Sequence, residues 1–401
     1  AQVDSLVYAF GEASSEEDSQ GPGGASRAAG ASAAARAPHL INTNDKYLFK
    51  VWGLRRSAAT SGWALNNGTG SKRTVVAVID SGIDYWHEDL QNQIWENPGE
   101  TGKDRSGYDK RFNGIDDDNN GFIDDWRGWN FREENNDVMD RDGHGTHCAG
   151  TIGAEADNRV GIAGASWGAR LMVLRCFGAD ETGKVTAPMS LILKAVRYAV
   201  NKNAAIMSNS WGVKDHYYML ETLIKEANQK NQLFVVAAGN DRTNNDVTPT
   251  YPCNYRLPNV LCVAASTEDE DLAGCTNYGP KSVHLAAPGK DVFSTLPGGY
   301  YGYMSGTSMA TPLVAGAAAL LADKIGTAQE IKKILLQTAD RRAPYALRVG
   351  VGGRLNVCRA LARVHGADEA ACVSAAPPRR AAFVGLLIAM AGLPLAGARL
   401  A

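Results

Sequence analysis

The sequence predicts an α/β protein of three layers, a mostly parallel sheet with helices on both faces. Two observations carry that expectation. Between residues 74 and 336, short apolar β-rich runs alternate with longer segments of helical period, which is the order produced by successive βα units. The strand candidates are also apolar throughout rather than at every second residue, as strands covered on both faces are. With 401 residues, the chain is long enough to bury a substantial core around such a sheet.

Taken in order, residues 1–10 (AQVDSLVYAF) alternate weakly, as a strand does. Residues 11–38 are Ser, Glu, Gly and Ala with almost no large apolar side chains. Such a stretch cannot bury enough surface to order itself and reads as a linker. The compact region opens near Asn44 and Asp45. Strands are expected at 74–79, 171–174, 204–207, 233–237, 260–264 and 283–286, and helices at 189–200, 218–228, 312–324 and 328–336. Ligand chemistry in this architecture collects at the carboxyl ends of the strands. Beyond a short linker at 366–380, residues 381–398 carry no charge, and Arg399 closes the run. That is about the minimum length of a membrane span, interrupted by Pro394. Small residues ahead of it, Ser374-Ala-Ala376, also suit a lipid-anchor signal, so the tail implies membrane association.

Composition excludes several classes. A formal net charge of −2 gives no reason to expect a nucleic-acid partner. The charge is local, with carboxylates crowded between residues 116 and 142, which points to cations. Seven cysteines are scattered without a CxxC pair, so no zinc site is expected, and the odd count leaves at least one thiol unpaired. Cys358 and Cys372 are close in sequence, and Cys253, Cys262 and Cys275 offer one further pair. The chain opens on Ala1 without a visible signal peptide, as a fragment or a processed form would.

Four segments place polar groups where strands end or helices begin. VAVIDSGID ends an apolar run on Asp80, GHGTHCAG carries His144 and His147, FVVAAGN ends on Asn240, and SGTSMATP holds Ser308 ahead of a long apolar helix. Each has a bland account as a cap or turn. Jointly they supply a carboxylate, an imidazole, an amide donor and a hydroxyl, the set needed for acyl transfer through serine. The hydroxyl attacks only when an imidazole takes its proton. The imidazole needs a carboxylate to fix its tautomer, and the oxyanion needs donors aimed at it.

On AVIDSGID, HGTHCAG, SNSWG, AAGN and GTSMATP the sequence resembles the subtilisin-like serine proteases, over roughly residues 44–364. The resemblance implies a subtilisin-like fold over 41–365 and an endopeptidase acting through Asp80, His144 and Ser308, with Asn240 as oxyanion donor. It implies that Ser210, Trp211 and Gly212 pair with substrate backbone as an added strand, and that Ala237, Ala238 and Gly239 form the opposite wall of the primary pocket. Thr250, before Tyr251-Pro252, is expected to narrow that pocket and exclude the largest side chains. Residues 1–40 then read as a propeptide remnant with the processing junction, the propeptide acting as inhibitor of a zymogen made in the secretory pathway, for secretion, a secretory organelle or the cell surface. Protein and peptide substrates follow. The alternative is a catalytically silent, membrane-anchored adhesion module keeping a protease fold.

Calcium is the cofactor expected, at two or more sites. Asp116, Asp118 and Asn120 fall at positions 1, 3 and 5 of an EF-hand-type loop, with Gly121 at 6 and the Phe122 carbonyl at 7. Arg127 stands where the closing Glu would be, so Asp124 or Asp125 must complete the shell, with Glu100 as a further candidate. This insertion looks like those of calcium-dependent apicomplexan subtilases. The family resemblance implies a second site from Asp45, Asp89 and Asn158 with carbonyls of Ala156, Val160 and Ile162.

Overall fold

A computed structural model of the chain describes residues 4–13, 43–66 and 70–372. Most of the linker expected at 11–38 and the apolar tail at 381–398 lie outside the described residues. Sixteen strands and eight α-helices are described. The strands are β1 (Leu6–Ala9), β2 (Glu12–Ala13), β3 (Val75–Asp80), β4 (Gly128–Asn130), β5 (Arg170–Arg175), β6 (Gly178–Ala179), β7 (Val185–Pro188), β8 (Ile206–Asn209), β9 (Trp211–Gly212), β10 (Leu233–Ala237), β11 (Val260–Ser266), β12 (Leu285–Pro288), β13 (Val292–Leu296), β14 (Tyr300–Ser305), β15 (Asp340–Arg341) and β16 (Gly353–Arg354). The helices are α1 (Trp52–Arg56), α2 (Ala59–Leu65), α3 (His144–Gly153), α4 (Met189–Asn201), α5 (Tyr218–Gln229), α6 (Thr307–Ala322), α7 (Ala328–Gln337) and α8 (Val357–His365).

Nine strands form the main sheet in the order β15-β16-β12-β11-β10-β8-β3-β5-β4, parallel except for the β15–β16 pair at one edge. Its central strands feed two cores in alternation. Val76 and Val78 of β3 join the core under α3 and α6, whereas Ala77 and Ile79 join the core under α4 and α5. Period-2 side chains thus explain why the run is apolar without a break: both faces are covered. The strands and helices read from the sequence are present with ends shifted by a few residues.

The largest shift is at α6, which starts at Thr307, five residues ahead of the Pro312 at which the apolar pattern opens. Proline inside a helix deprives the carbonyl four residues earlier of its partner. Here that carbonyl is Ser308 O, and the Ser210 hydroxyl donates to it at 2.9 Å, with the Cys148 thiol at 3.5 Å. The break is therefore mended by side chains from β9's approach and from α3. Almost the whole of α6 is buried, from Thr307 to Leu321, which its small residues permit. A Cβ built on Gly316 would lie 2.7 Å from Ala165 Cβ and 2.9 Å from Ile152 O, so α3 and the chain after it approach to contact there.

Two small sheets stand at the carboxyl ends of the main strands, ordered β6-β7-β1-β9 and β13-β14-β2. Both incorporate the N-terminal segment. Cys253 pairs with Cys262 and Cys358 with Cys372, while Cys148 and Cys176 are buried thiols. Among the described residues no helix is long and apolar enough to cross a membrane.

Candidate active site

Strand β3 delivers Asp80 and helix α3 opens on His144 beside it. Asp80 Oδ1 lies 2.7 Å from His144 Nδ1 and also accepts the Ser81 N–H at 2.8 Å. A carboxylate only accepts, so Nδ1 carries the proton and Nε2 keeps its lone pair. Burial pushes the imidazole pKa down, but the charges of Asp80, Asp140 and Asp142 outweigh it and hold the value above the usual one. His147, one turn on, is buried with Nε2 2.9 Å from Val292 O and is pushed down to about 3 by burial. It is a neutral core histidine.

A buried network that sequence reasoning missed fixes this junction. Asp140 accepts from the N–H groups of Gly143 and Thr146 and from the hydroxyls of Thr146 and Ser81, between 2.6 and 3.0 Å. The Ser81 hydroxyl in turn accepts from Gly145 N–H at 2.9 Å. Helix α3 is thus capped by Asp140 and tied to the end of β3. An acidic residue four positions ahead of a helix-opening histidine was the available signal.

Ser308 is the second residue of α6, fully buried, and its N–H points outward from the helix start. Ahead of it Gly306 has φ +152°, and a Cβ there would meet Phe10 O at 2.4 Å. Only glycine admits that close approach. The Phe10 carbonyl oxygen accepts from Ser308 N at 3.2 Å and from Asn240 Nδ2 at 3.0 Å. Asn240 is oriented by Thr307, whose N–H and hydroxyl donate to its Oδ1 at 3.0 and 2.9 Å. The Ser308 hydroxyl donates to Ser210 O at 2.9 Å. His144 Nε2 has no hydrogen-bond partner among the described residues and lies against Gly11, where a built Cβ would be 2.9 Å away.

The backbone seated in this cleft is the chain's own N-terminal segment. Strand β1 runs antiparallel between β7 and β9, with Val7 opposite Ala187, Tyr8 opposite Thr186 and Gly212, and Ala9 opposite Trp211. Phe10 N–H continues the ladder to Ser210 O at 3.1 Å. Val7 is fully buried, and Lys184 sits 3.9 Å from the Tyr8 ring centroid. Past Gly11, β2 pairs with the end of β14, Glu12 opposite Ser305. Ala238 O is held by Asn245 and Asn277 side chains at 2.8 and 3.1 Å, and Gly239 N–H donates to the Thr307 hydroxyl at 3.2 Å. Thr250 is buried, its hydroxyl taken by Lys214 at 3.1 Å. The Phe10 ring packs on Gly212, where a Cβ would lie 2.6 Å from Cε2, so missing side-chain volume at Gly212 makes the room.

The acidic insertion brings together three of the carboxylates expected there. Glu100, Asp118 and Asp125 bring carboxylate oxygens within 4.8 Å of one another. Asp116 instead accepts from Asn120 and Gly121 N–H at 3.0 and 2.7 Å, and Asp124 accepts from Gly114 N–H at 3.1 Å. These two shape the loop, because a short carboxylate reaches nearby amides first. Asn120 Nδ2 donates to Asp125 at 2.8 Å, and the Phe122 ring packs against Trp129, Phe131 and Tyr198. Lys202 pairs with Asp118. Glu100 Oε2 and Asp118 Oδ1 are buried without a hydrogen-bond partner among the described residues, and burial pushes Glu100 up to about 7.

Asp45, Asp89 and Asn158 do meet. Asp89 accepts from Asn158 Nδ2 and Ile162 N–H, both at 2.8 Å, and Asp45 accepts from Asn158 N–H at 3.3 Å. Val160 N–H closes on Asn158 Oδ1 at 2.8 Å, and Ala156 packs at the edge of the core. Asp45 Oδ2 is buried without a partner among the described residues, and burial raises both carboxyl groups.

Fold and site together define an α/β protein with an aspartate, a histidine and a serine converging at the carboxyl ends of parallel strands. The chain belongs to the subtilase family, whose model matches residues 71–355. It is similar to the thermophilic serine proteinase of Bacillus sp. strain AK1, at 36% identity over 299 residues, covering 74% of this chain and 64% of that protein. It is similar to subtilisin-like protease 1 of Plasmodium vivax at 30% identity, covering 79% of this chain and 52% of the relative. The chain thus spans between half and two thirds of the length of these two relatives. A solved protease structure from Pseudoalteromonas arctica shares the fold, with a TM-score of 0.63 at 24% identity, covering 80% of this chain and 99% of that one.

Proposed function

We propose that the chain is a serine endopeptidase that first cuts itself between Phe10 and Gly11. One observation carries this: the Phe10 carbonyl oxygen lies between two aimed donors, Ser308 N–H and Asn240 Nδ2, with the following residue against the imidazole. A peptide carbonyl held by donors on its oxygen is poised for addition at its carbon. Rotation about χ1 carries the Ser308 hydroxyl from Ser210 O toward His144 Nε2, which takes its proton as Oγ bonds to the Phe10 carbonyl carbon. The imidazolium is stabilised by Asp80 and gives that proton to the Gly11 nitrogen as the C–N bond breaks. Water, giving a proton to the same imidazole, then adds to the Phe10 carbonyl carbon; the C–Oγ bond breaks, Ser308 Oγ takes that proton back, and the Phe10 carboxyl is released.

Residues 4–10, paired on both edges, remain after the cut as a strand that must leave before another substrate enters. That is inhibition by the enzyme's own propeptide, and it suits a zymogen. Extended protein segments follow as substrates through the same strand addition. Two disulfides suit an oxidising, secretory route. Calcium is proposed at two sites, because buried unpartnered carboxylate oxygens are hard donors in need of a cation. Glu100, Asp118 and Asp125 would hold one ion, Asp45, Asp89 and Asn158 the other, and the ion's contribution is neutralisation of those charges.

Incubation of the full chain beside its Ser308→Ala variant tests this by intact mass and N-terminal sequencing. A new terminus at Gly11 in the first and none in the second is the expected result, with fluorophosphonate labelling at Ser308 alone. An unlabelled, uncut chain would leave the silent adhesion module as the better reading.

A further inference from the structure

Helix α4 begins without a cap of its own. Its N-cap residue, Pro188, has no side-chain acceptor and makes no side-chain cap bond, so the first N–H groups of the helix are left to find partners elsewhere. They find them in the segment seated in the cleft. Met189 N–H donates to Ser5 O at 3.1 Å, and Ser190 donates to the Asp4 carboxylate twice, from N–H at 2.9 Å and from its hydroxyl at 2.6 Å. The register does not depend on that carboxylate, since Leu6 lies opposite Pro188 and Val7 opposite Ala187 in the β1–β7 ladder. Any segment that fills the cleft in this register brings the seventh residue before the cut bond to the start of α4.

We propose that this enzyme selects protein segments bearing an acidic side chain at the seventh residue before the bond to be cut, with Ser190 and the open end of α4 as the selecting element. The inference rests on the endopeptidase reading and deepens it. A carboxylate at a helix N-terminus gains both a charge-assisted hydrogen bond and the favourable end of the helix dipole. A neutral side chain leaves Ser190 N–H to water. The site is exposed, so the preference is graded and is screened by salt.

The full chain, once it has processed itself, is assayed on the peptide DSLVYAFGEA, its own residues 4–13, and on the same peptide with Asp4→Ala. KM is expected to rise about fivefold for the second peptide with kcat unchanged, and the difference should fall to about twofold at 1 M salt. In the Ser190→Ala enzyme the difference between peptides should also shrink to about twofold, since only the backbone donor remains. A merely structural Ser190 would shift both peptides alike. Equal KM for the two peptides, both cut after Phe10 by the unaltered enzyme, overturns this inference alone. Failure to cut the parent peptide after Phe10 overturns the endopeptidase reading and takes this inference with it.

Discussion

At the scale of the residue, the site is a set of donors and acceptors oriented by their neighbours. Asn240 gives one hydrogen to the Phe10 carbonyl and takes two from Thr307. Asn240→Ala is expected to slow cutting at Phe10–Gly11 by about 10²–10³-fold, read by intact mass against time. The urea midpoint, measured in parallel, separates lost catalysis from lost folding. A change below tenfold would place oxyanion stabilisation elsewhere. His144 sets the pH dependence. Its neighbouring carboxylates hold the protonated form against burial, so its pKa stands above the ordinary 6.5. The reaction needs the neutral imidazole, so the rate rises with pH and its half-rise should fall above pH 6.5. A half-rise at or below that value sinks the assignment of Asp80 as the partner. Cys148, though close by, takes no part: burial pushes its thiol well up, and it packs as a small apolar group.

Elements place these residues by close approach. Helix α6 reaches α3 through Gly316, and here two effects compete. Alanine gains about 1 kcal/mol of helix propensity over glycine, but its Cβ would press on Ala165 and on the Ile152 carbonyl. Overpacking of a rigid neighbour costs about 1–3 kcal/mol, so Gly316→Ala should be net destabilising, seen as a lower urea midpoint at unchanged slope. A neutral or stabilised variant would show that the α3–α6 contact has slack. The elements themselves were legible in the sequence wherever burial wrote a continuous apolar run, as in β3, β10 and β11. What escaped was the start of α6, because Pro312 hid the turn before it. The Ser210 hydroxyl that satisfies Ser308 O comes from 98 residues away, and local pattern carries no trace of it.

For the whole molecule, the proposed calcium sites and two histidines set the expected response of stability to chelation and to pH. Bound ions favour the folded state by mass action, by about 3–4 kcal/mol at 100 to 1,000 times the dissociation constant. EGTA should therefore lower the melting temperature of the Ser308→Ala chain, and restored calcium should return it. No change on chelation would refute both cation sites. Acid acts through two histidines, the buried His147 and the half-buried His284, each pushed down to about 3 by desolvation. Unfolding lets each take a proton below about 6.5, so the unfolded state binds more protons between about 6.5 and 3. The contribution of each ring is then full above that window and falls within it by about 1.4 kcal/mol per pH unit, while Glu100, held protonated in the folded state up to about 7, contributes in the opposite direction. Ring-proton NMR shifts between pH 7 and 4 isolate the histidines: both rings should stay neutral, and titration of either near 6.5 would mean that it is hydrated in the folded state.

Sequence alone determined the class of fold and the four polar groups at its strand ends. Buried parallel strands must be apolar throughout, and an aspartate, a histidine, an asparagine and a serine at such ends have few joint uses. It also located the acidic insertion, since charge density is a local property. Only the tertiary structure decided which carboxylates meet, because Asp116 and Asp124 turn to amides of their own loop while Glu100 arrives from 18 residues before Asp118. Only it seated residues 4–13 in the cleft, with Phe10 between its donors and Asp4 on α4. Strand addition is made by backbone hydrogen bonds, which any side chains can accompany, so no local pattern announces the partner.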